Sequence, residues 1–522
     1  MGLTRRDFLM RVGQLGGYSA AFTMMQSLGL LPLPEIASEM GKLKLVEGGG
    51  TSVVILGGGI AGLVTAYELN KAGYRCTVLE ARERPGGRNW TVRGGTKVEF
   101  TTGFSQACEF SEGQYFNAGP ARLPSIHRTI LHYCSELDVP LEIEVNSSRS
   151  ALMQADQLNG GVAVQQRRVV NDTRGHVSEL LAKAINQGAL DQEISKEDKE
   201  KMLAFLIEYG DLKPDYIFKG TERSGFKVYP GAGVQPPVPN DPLPMHALLD
   251  ADLWQGMLAE EVADWQPTMF QPVGGMDRIP FAFKTRLGST VRYGCAVQQI
   301  RQTSSGVKVA YSHGSTTQTI TADYCVCAMP LTITRDIDAD FSPEIRHILD
   351  GVTYDSAYKI AWQAPRFWES EYAIYGGLSY LKQTVGVVWY PSAKCFSPEG
   401  IVVAGYGVEN GSAFGKLPSV QAKLDASRQA IELLHPGHGK DLTKPVYISW
   451  GHIPYNLGSW ISGFGRRNEN TLDALLVPDR RVYFAGDHTS HLVGWQEGAA
   501  LSAYRVINQI GARIQNGGSS AT

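Results

Sequence analysis

The sequence lacks any paired cysteine motif. Its 522 residues hold seven cysteines, at positions 76, 108, 134, 295, 325, 327 and 395, scattered and without C-x-x-C spacing. An odd, dispersed set excludes a disulfide framework and a structural zinc site, and predicts mostly core thiols. No charge of one sign dominates either: 49 Lys and Arg stand against 52 Asp and Glu, a net charge of -3. That balance leaves no global basic field for nucleic acid or an anionic membrane. After the first 34 residues no apolar run reaches the roughly 18 residues of a membrane span, and no repeat of fixed period is visible. The pairs His435/His438 and His488/His491 lack a third ligand pattern, so no metal is predicted. What remains is 43% hydrophobic and 19% charged, close to globular averages. At roughly 150 residues per domain, the length allows three to four domain-sized units, and the charge balance predicts small-molecule partners.

The chain opens Thr4-Arg5-Arg6-Asp7-Phe8-Leu9, then runs weakly apolar from Val12 to Leu31 with interrupting glycines, ahead of Pro32 and Pro34. This reads as a twin-arginine export signal rather than a permanent span, with a short amphipathic helix as the other reading. The expected location is periplasmic or secreted. Asn-x-Ser/Thr sites at Asn89, Asn146, Asn171 and Asn410 carry no weight on such a bacterial route.

Residues 51–56 form a buried-strand run, followed by Gly57-Gly58-Gly59-Ile60-Ala61-Gly62 and a helical apolar pattern. Gly57 permits the tight turn, Gly59 lets the backbone approach a pyrophosphate, and Gly62 allows close helix packing. A second strand, Arg75 to Leu79, ends in Glu80, placed to bind ribose hydroxyls and unsuited to a 2'-phosphate. After it, Ala81-Arg82-Glu83-Arg84-Pro85-Gly86-Gly87-Arg88 offers exposed backbone N–H groups at Gly87 and cations at Arg82 and Arg88 for a diphosphate; a solvated basic loop is the plainer reading of Arg82 and Arg84. Near the C-terminus a strand over 481–485 leads to Gly486-Asp487, and Gly494-Trp495-Gln496-Glu497-Gly498-Ala499 opens an apolar helix. An acid after a strand-ending glycine can accept hydrogen bonds from ribityl hydroxyls, or simply cap a turn.

These blocks resemble those of the flavin amine oxidase family, and the resemblance covers residues 50 to 515, including Ser356-Ala357-Tyr358-Lys359-Ile360 and Ser449-Trp450. It implies FAD, with Asp487 on the ribityl chain and Val297 against the adenine. Gly119-Pro120-Ala121-Arg122-Leu123-Pro124 resembles the corresponding element of L-amino-acid oxidases, which implies that Arg122 binds a substrate carboxylate and that Ala121 and Arg122 lie against the cofactor. A planar guanidinium matches a carboxylate with two bonds. By the same resemblance Tyr406 shares that carboxylate, Lys359 reaches flavin N5 through a water, and Trp450 and Trp495 flank flavin and substrate beside Gly494. Trp389 and Trp460 depart from the family's usual residues and bear on side-chain specificity. No cysteine lies between Trp450 and Trp495, where covalent members carry one, so FAD is expected to bind non-covalently.

The implied fold is mixed α/β: a Rossmann-like, glutathione-reductase-like FAD-binding domain from residues 48–104, 270–350 and 470–516, and a discontinuous mixed-sheet substrate domain from 105–160 and 351–469. A helical insertion would span 161–269, after an N-terminal segment over 1–47. The implied reaction is oxidative deamination of an L-amino acid by oxygen, giving a 2-oxo acid, ammonia and hydrogen peroxide, in a homo-oligomer such as a dimer. A decarboxylating amino-acid monooxygenase, an amine or polyamine oxidase, and a non-catalytic flavin-binding protein stay open as alternatives.

Overall fold

The computed structural model describes residues 43–189, 192–462 and 473–517. The twin-arginine segment lies outside the described residues. Residues just after it belong to the fold: Lys44 N donates to Asn508 Oδ1 at 2.8 Å, and Leu43 joins the core.

A five-stranded parallel sheet organises the first layer, in the order Val291–Arg292, Arg75–Leu79, Ser52–Leu56, Tyr324–Cys327, Val482–Phe484. Its central strand is Val53-Val54-Ile55-Leu56, buried on both faces, as a strand covered by helices must be. The helix Ile60–Lys71 follows the glycine turn. It buries Leu63, Ala66 and Leu69 against Ala500, Ala503 and Ile507 of the C-terminal helix Gln496–Gln515. Gly62 sits where a Cβ would fall 2.0 Å from the Gly57 carbonyl oxygen, so only glycine lets helix and turn close.

A seven-stranded sheet, antiparallel in all but one pairing, forms the second layer. Its order is Val164–Gln165, Leu152–Gln154, Gly377–Leu381, Val387–Tyr390, Glu399–Val408, Ala357–Pro365, Thr443–Ser449. Eight of the nine residues of Ala357–Pro365 are buried, which makes a lysine in it conspicuous. The edge strand Val164–Gln165 carries this sheet past residue 160, four residues into the range assigned to the insertion. The rest of that range is mainly helical, led by Gln166–Asn186 and by Lys196–Gly210, which Ser195 caps by accepting from Asp198 N. A small three-stranded sheet pairs Met269–Pro272 with Leu123–Pro124 and with Leu141–Glu144.

All seven cysteines are free thiols, five of them buried, as the sequence predicts. Among the described residues no helix is long and apolar enough to cross a membrane, and no cluster of His, Cys, Asp and Glu could hold a metal ion.

Candidate functional site

One elongated cavity of about 470 Å³ opens at the C-terminal ends of the parallel strands and runs to the face of the seven-stranded sheet. Gly57, Glu80, Ala328 and Gly486 follow successive strands and line its first end, the place where an open parallel sheet binds ligands. Gly57 has φ +103°, a conformation that favours glycine. Gly59, the residue before the helix Ile60–Lys71, has no side-chain cap above it, and a Cβ there would meet no protein atom within 4 Å. Helix N–H groups therefore face the cavity directly. The Glu80 carboxylate is held by Gly58 N at 2.7 Å and Arg82 N at 2.9 Å, which fixes its position on the wall.

Arg82 lines the cavity and donates to the Pro454 carbonyl and the Asn456 side chain; burial pushes its pKa down. Arg84 turns away from the cavity, packs over the Trp90 ring at 4.8 Å and donates to the Gly87 carbonyl at 2.9 Å. Neither is the solvated loop arginine of the plainer reading. Arg88 and Asp487 form a two-pronged ion pair, with Arg88 also donating to the Ser459 carbonyl. Burial alone would raise the Asp487 pKa, but the guanidinium outweighs it and holds the carboxyl below its usual range. Asp487 also accepts from Gly494 N at 2.8 Å, which ties the strand end to the turn before the C-terminal helix. Arg88 thus lines the cavity as half of an ion pair with Asp487, not as the free cation its sequence context suggests.

These features fit FAD. A glycine turn aimed at a helix N-terminus, an anchored acid for the ribose and a second uncapped helix N-terminus at Trp495 line one channel. Val297 lines the cavity beside a bulge in the strand Cys295–Gln302, while Gly87, Ala121 and Trp450 lie along the channel. Trp450 is pinned by its Nε1–H to the Ala118 carbonyl at 3.0 Å. Gly62 is the one predicted cofactor residue that does not line the cavity; its part is the packing described above.

Strand register builds the other end. Lys359 pairs directly with Tyr406, and Tyr406 with Val387, two residues from Trp389. Paired and alternate residues share a sheet face, so Lys359, Tyr406 and Trp389 converge on the cavity. Lys359 is 5% exposed, and its Nζ donates to the carbonyls of Asn117 at 2.7 Å and Gly119 at 2.6 Å. Burial, and the nearby Arg122 cation, bring its pKa down to about 7. Arg122 is 8% exposed and packed against two indoles, 4.5 Å from the Trp389 ring centroid and 5.1 Å from that of Trp265. It donates to Asn146 Oδ1, and among the described residues no carboxylate lies within 4 Å of it. Trp460, anchored by Asp355 Oδ2 at 3.0 Å, and Trp495, edge-on to His127 at 4.9 Å, close the sides with Gly494.

Three residues around Arg122 had no motif to announce them. Trp265 comes from the insertion and Asn146 from a sequon set aside on sequence grounds. Glu144 is buried behind Trp389 with its pKa pushed by burial up to about 7, against the pull of Arg122 and Lys359.

The sequence profile of the family described as flavin containing amine oxidoreductase matches residues 60–510. An L-amino-acid oxidase of Protobothrops flavoviridis is 26% identical over 487 residues, covering 88% of each chain. A putative L-amino-acid oxidase of Bacillus subtilis (strain 168), YobN, is 25% identical over 88% of this chain and 94% of its own. Among solved structures, putrescine oxidase bound to putrescine superposes with a TM-score of 0.59 at 17% identity, over 89% of this chain and 99% of that one. Cyclohexylamine oxidase from Brevibacterium oxydans IH-35A gives a TM-score of 0.58 at 16% identity, over 89% and 100%. The mixed α/β fold expected from the sequence is therefore that of the amine oxidases, and with its profile match spanning most of the residues that build both sheets and the channel between them, the chain belongs to the flavin containing amine oxidoreductase family.

Proposed function

We propose that this chain is an L-amino-acid oxidase that converts its substrate, oxygen and water to a 2-oxo acid, ammonia and hydrogen peroxide. The observation that carries the reading is Arg122: a buried guanidinium on the cavity wall, flanked by two indoles, with no carboxylate of the described chain within 4 Å. A buried cation without an ionic partner is costly, and a substrate carboxylate supplies the bidentate partner. FAD, when bound, supplies the acceptor for the electrons leaving the substrate Cα, with oxygen as final oxidant.

Arg122, with Tyr406 on the same cavity wall, fixes one end of the substrate and so the direction of its Cα–H bond. Lys359 Nζ already donates to two carbonyls; as a neutral amine it keeps a lone pair and can hold or pass on a proton near neutral pH. Trp389, Trp460 and Trp495 surround the substrate with apolar surface that excludes water and strengthens the ionic contact. The names of the relatives from Protobothrops and Bacillus support the amino-acid reading.

We further read FAD as non-covalently bound. The one cysteine lining the cavity, Cys295, sits at the nucleotide end, where its N–H bonds the Glu80 carbonyl at 2.8 Å. Export through the twin-arginine route rests on Arg5 and Arg6. Product analysis after an anaerobic flavin-bleaching screen over the twenty L-amino acids tests the assignment. Bleaching by amino acids, with 2-oxo acid, ammonia and peroxide formed in air, is expected; amide and carbon dioxide would make it a monooxygenase.

A further inference from the structure

The strand Leu141–Glu144 has its polarity reversed. Ile143 is 54% exposed while Glu144 is 3% exposed, although Leu-Glu-Ile-Glu would ordinarily turn its carboxylates to water. Pairing of Glu144 with Met269 sets this register and drives the carboxyl under the floor of the substrate end. There Glu144 Oε1 accepts from Trp389 Nε1 at 3.3 Å, while Oε2 is buried and has no hydrogen-bond partner among the described residues. A carboxyl buried with one oxygen unpaired is expensive, so a leucine of similar volume would be favoured if packing were its only task.

The geometry points to Glu144 as the positioning residue of the substrate subsite, holding the Trp389 indole by its Nε1–H so that the ring covers Arg122 and Lys359. An indole N–H is a donor with a single direction, so one acceptor fixes the ring's rotation in its plane. The ring so fixed lies 4.5 Å from the Arg122 guanidinium, 5.2 Å from Lys359 Nζ and 6.0 Å from the Tyr406 ring. Glu144 does not line the cavity and acts through Trp389. The charged groups facing it are Arg122, from the turn before Leu123–Pro124, and Lys359, from the strand Ala357–Pro365. Both attract its carboxylate, which keeps that group on the indole instead of turned to water. This inference rests on the reading of Arg122 as the carboxylate site.

The test uses FAD-loaded enzyme and benzoate, an unreactive carboxylate, with its affinity read by calorimetry. Glu144→Gln keeps an acceptor for the indole and removes the charge; Glu144→Leu removes both; Trp389→Phe keeps a ring without the N–H. Glu144→Leu is expected to weaken benzoate binding three- to tenfold, the range of one lost hydrogen bond, and to raise KM more than it lowers kcat. Glu144→Gln is expected to recover most of that loss. In the Trp389→Phe background, Glu144→Leu is expected to cost less than twofold. If Glu144→Leu does not fold, Glu144→Gln and Trp389→Phe still decide: near-native affinity in the first and loss in the second support the proposal. Equal loss from the Gln and Leu variants, or an unchanged loss in the Trp389→Phe background, overturns it. Benzoate binding that is insensitive to Arg122→Ala would instead overturn the amino-acid reading beneath it.

Discussion

The Arg122 guanidinium lies 4.5 Å from the centroid of the Trp389 indole, and no carboxylate of the described chain lies within 4 Å of it. If a substrate carboxylate completes that site, truncation leaves it unpaired at a cost of roughly 2 to 5 kcal/mol. Arg122→Ala is therefore expected to lower kcat/KM for an amino acid by roughly 30-fold to several thousand-fold. The matching decarboxylated amine should be a poor substrate of the native enzyme and lose far less on mutation. Steady-state kinetics on both substrates with both proteins checks this; equal losses would mean that Arg122 supports the fold or the flavin.

If the flavin is held non-covalently by Glu80, Asp487 and the glycine turn, acid precipitation of the purified protein is expected to release all of it to the supernatant. Absorbance retained in the washed pellet would show a covalent bond.

Lys359 is brought down to about 7, and Glu144 up to about 7, mainly by burial, so both groups change charge near neutrality. Raising the pH through 7 deprotonates the Lys359 amine, and the rate of anaerobic flavin reduction is expected to rise across that range and then level. Lys359→Met should be slower and lack the rise. A stopped-flow pH series on both proteins decides; a slope that survives in the variant assigns the step to another group.

His435 lies in the core under Phe367 and Tyr372, with Nε2 2.7 Å from the Tyr390 hydroxyl. Burial, reinforced by His438, depresses its pKa to about 3. Between about 6.5, the free value, and about 3 the unfolded chain binds a proton that the folded chain does not. Stability should therefore fall as pH drops through that window, by at most about 1.4 kcal/mol per pH unit from this group. Urea midpoints at pH 7, 5 and 4 should show a steeper decline for the native protein than for His435→Gln; parallel declines would exonerate the histidine.

If Arg5 and Arg6 form a receptor-read export signal, replacing both by lysine is expected to block export while leaving activity in cell extracts intact. Fractionation of an expressing bacterium reports it, and undiminished periplasmic activity would remove the signal reading.

The nucleotide end was legible because its chemistry is local. Gly57, Gly59 and Glu80 are set by one strand-turn-helix unit and the next strand, and the spacing alone places them. Asp487 was legible for the same reason, but its partner was not: Arg88 is 399 residues away, and only the closed sheet shows that the two neutralise each other. At the substrate end, Lys359 stood out as a charge in a buried strand. Glu144 did not, because a lone alternating strand reads polar-side-out until pairing with Met269 reverses it. Trp265 belonged to a loop-rich stretch with no periodicity, and its place over Arg122 comes from long-range packing alone.

The strand Val482–Phe484 closes the parallel sheet that Ser52–Leu56 begins, and the helix Gln496–Gln515 covers the helix Ile60–Lys71. The earliest strand of the sheet therefore depends on one of the latest for its cover. A nascent chain that has already made the glycine turn must wait for more than 400 further residues before Asp487 and Trp495 give that turn its opposite wall. Until then Leu63, Ala66 and Leu69 have no cover from the C-terminal helix. Closure of the cavity is consequently a late event in the chain's synthesis, since Gly486, Asp487 and Trp495 on its wall all follow residue 480.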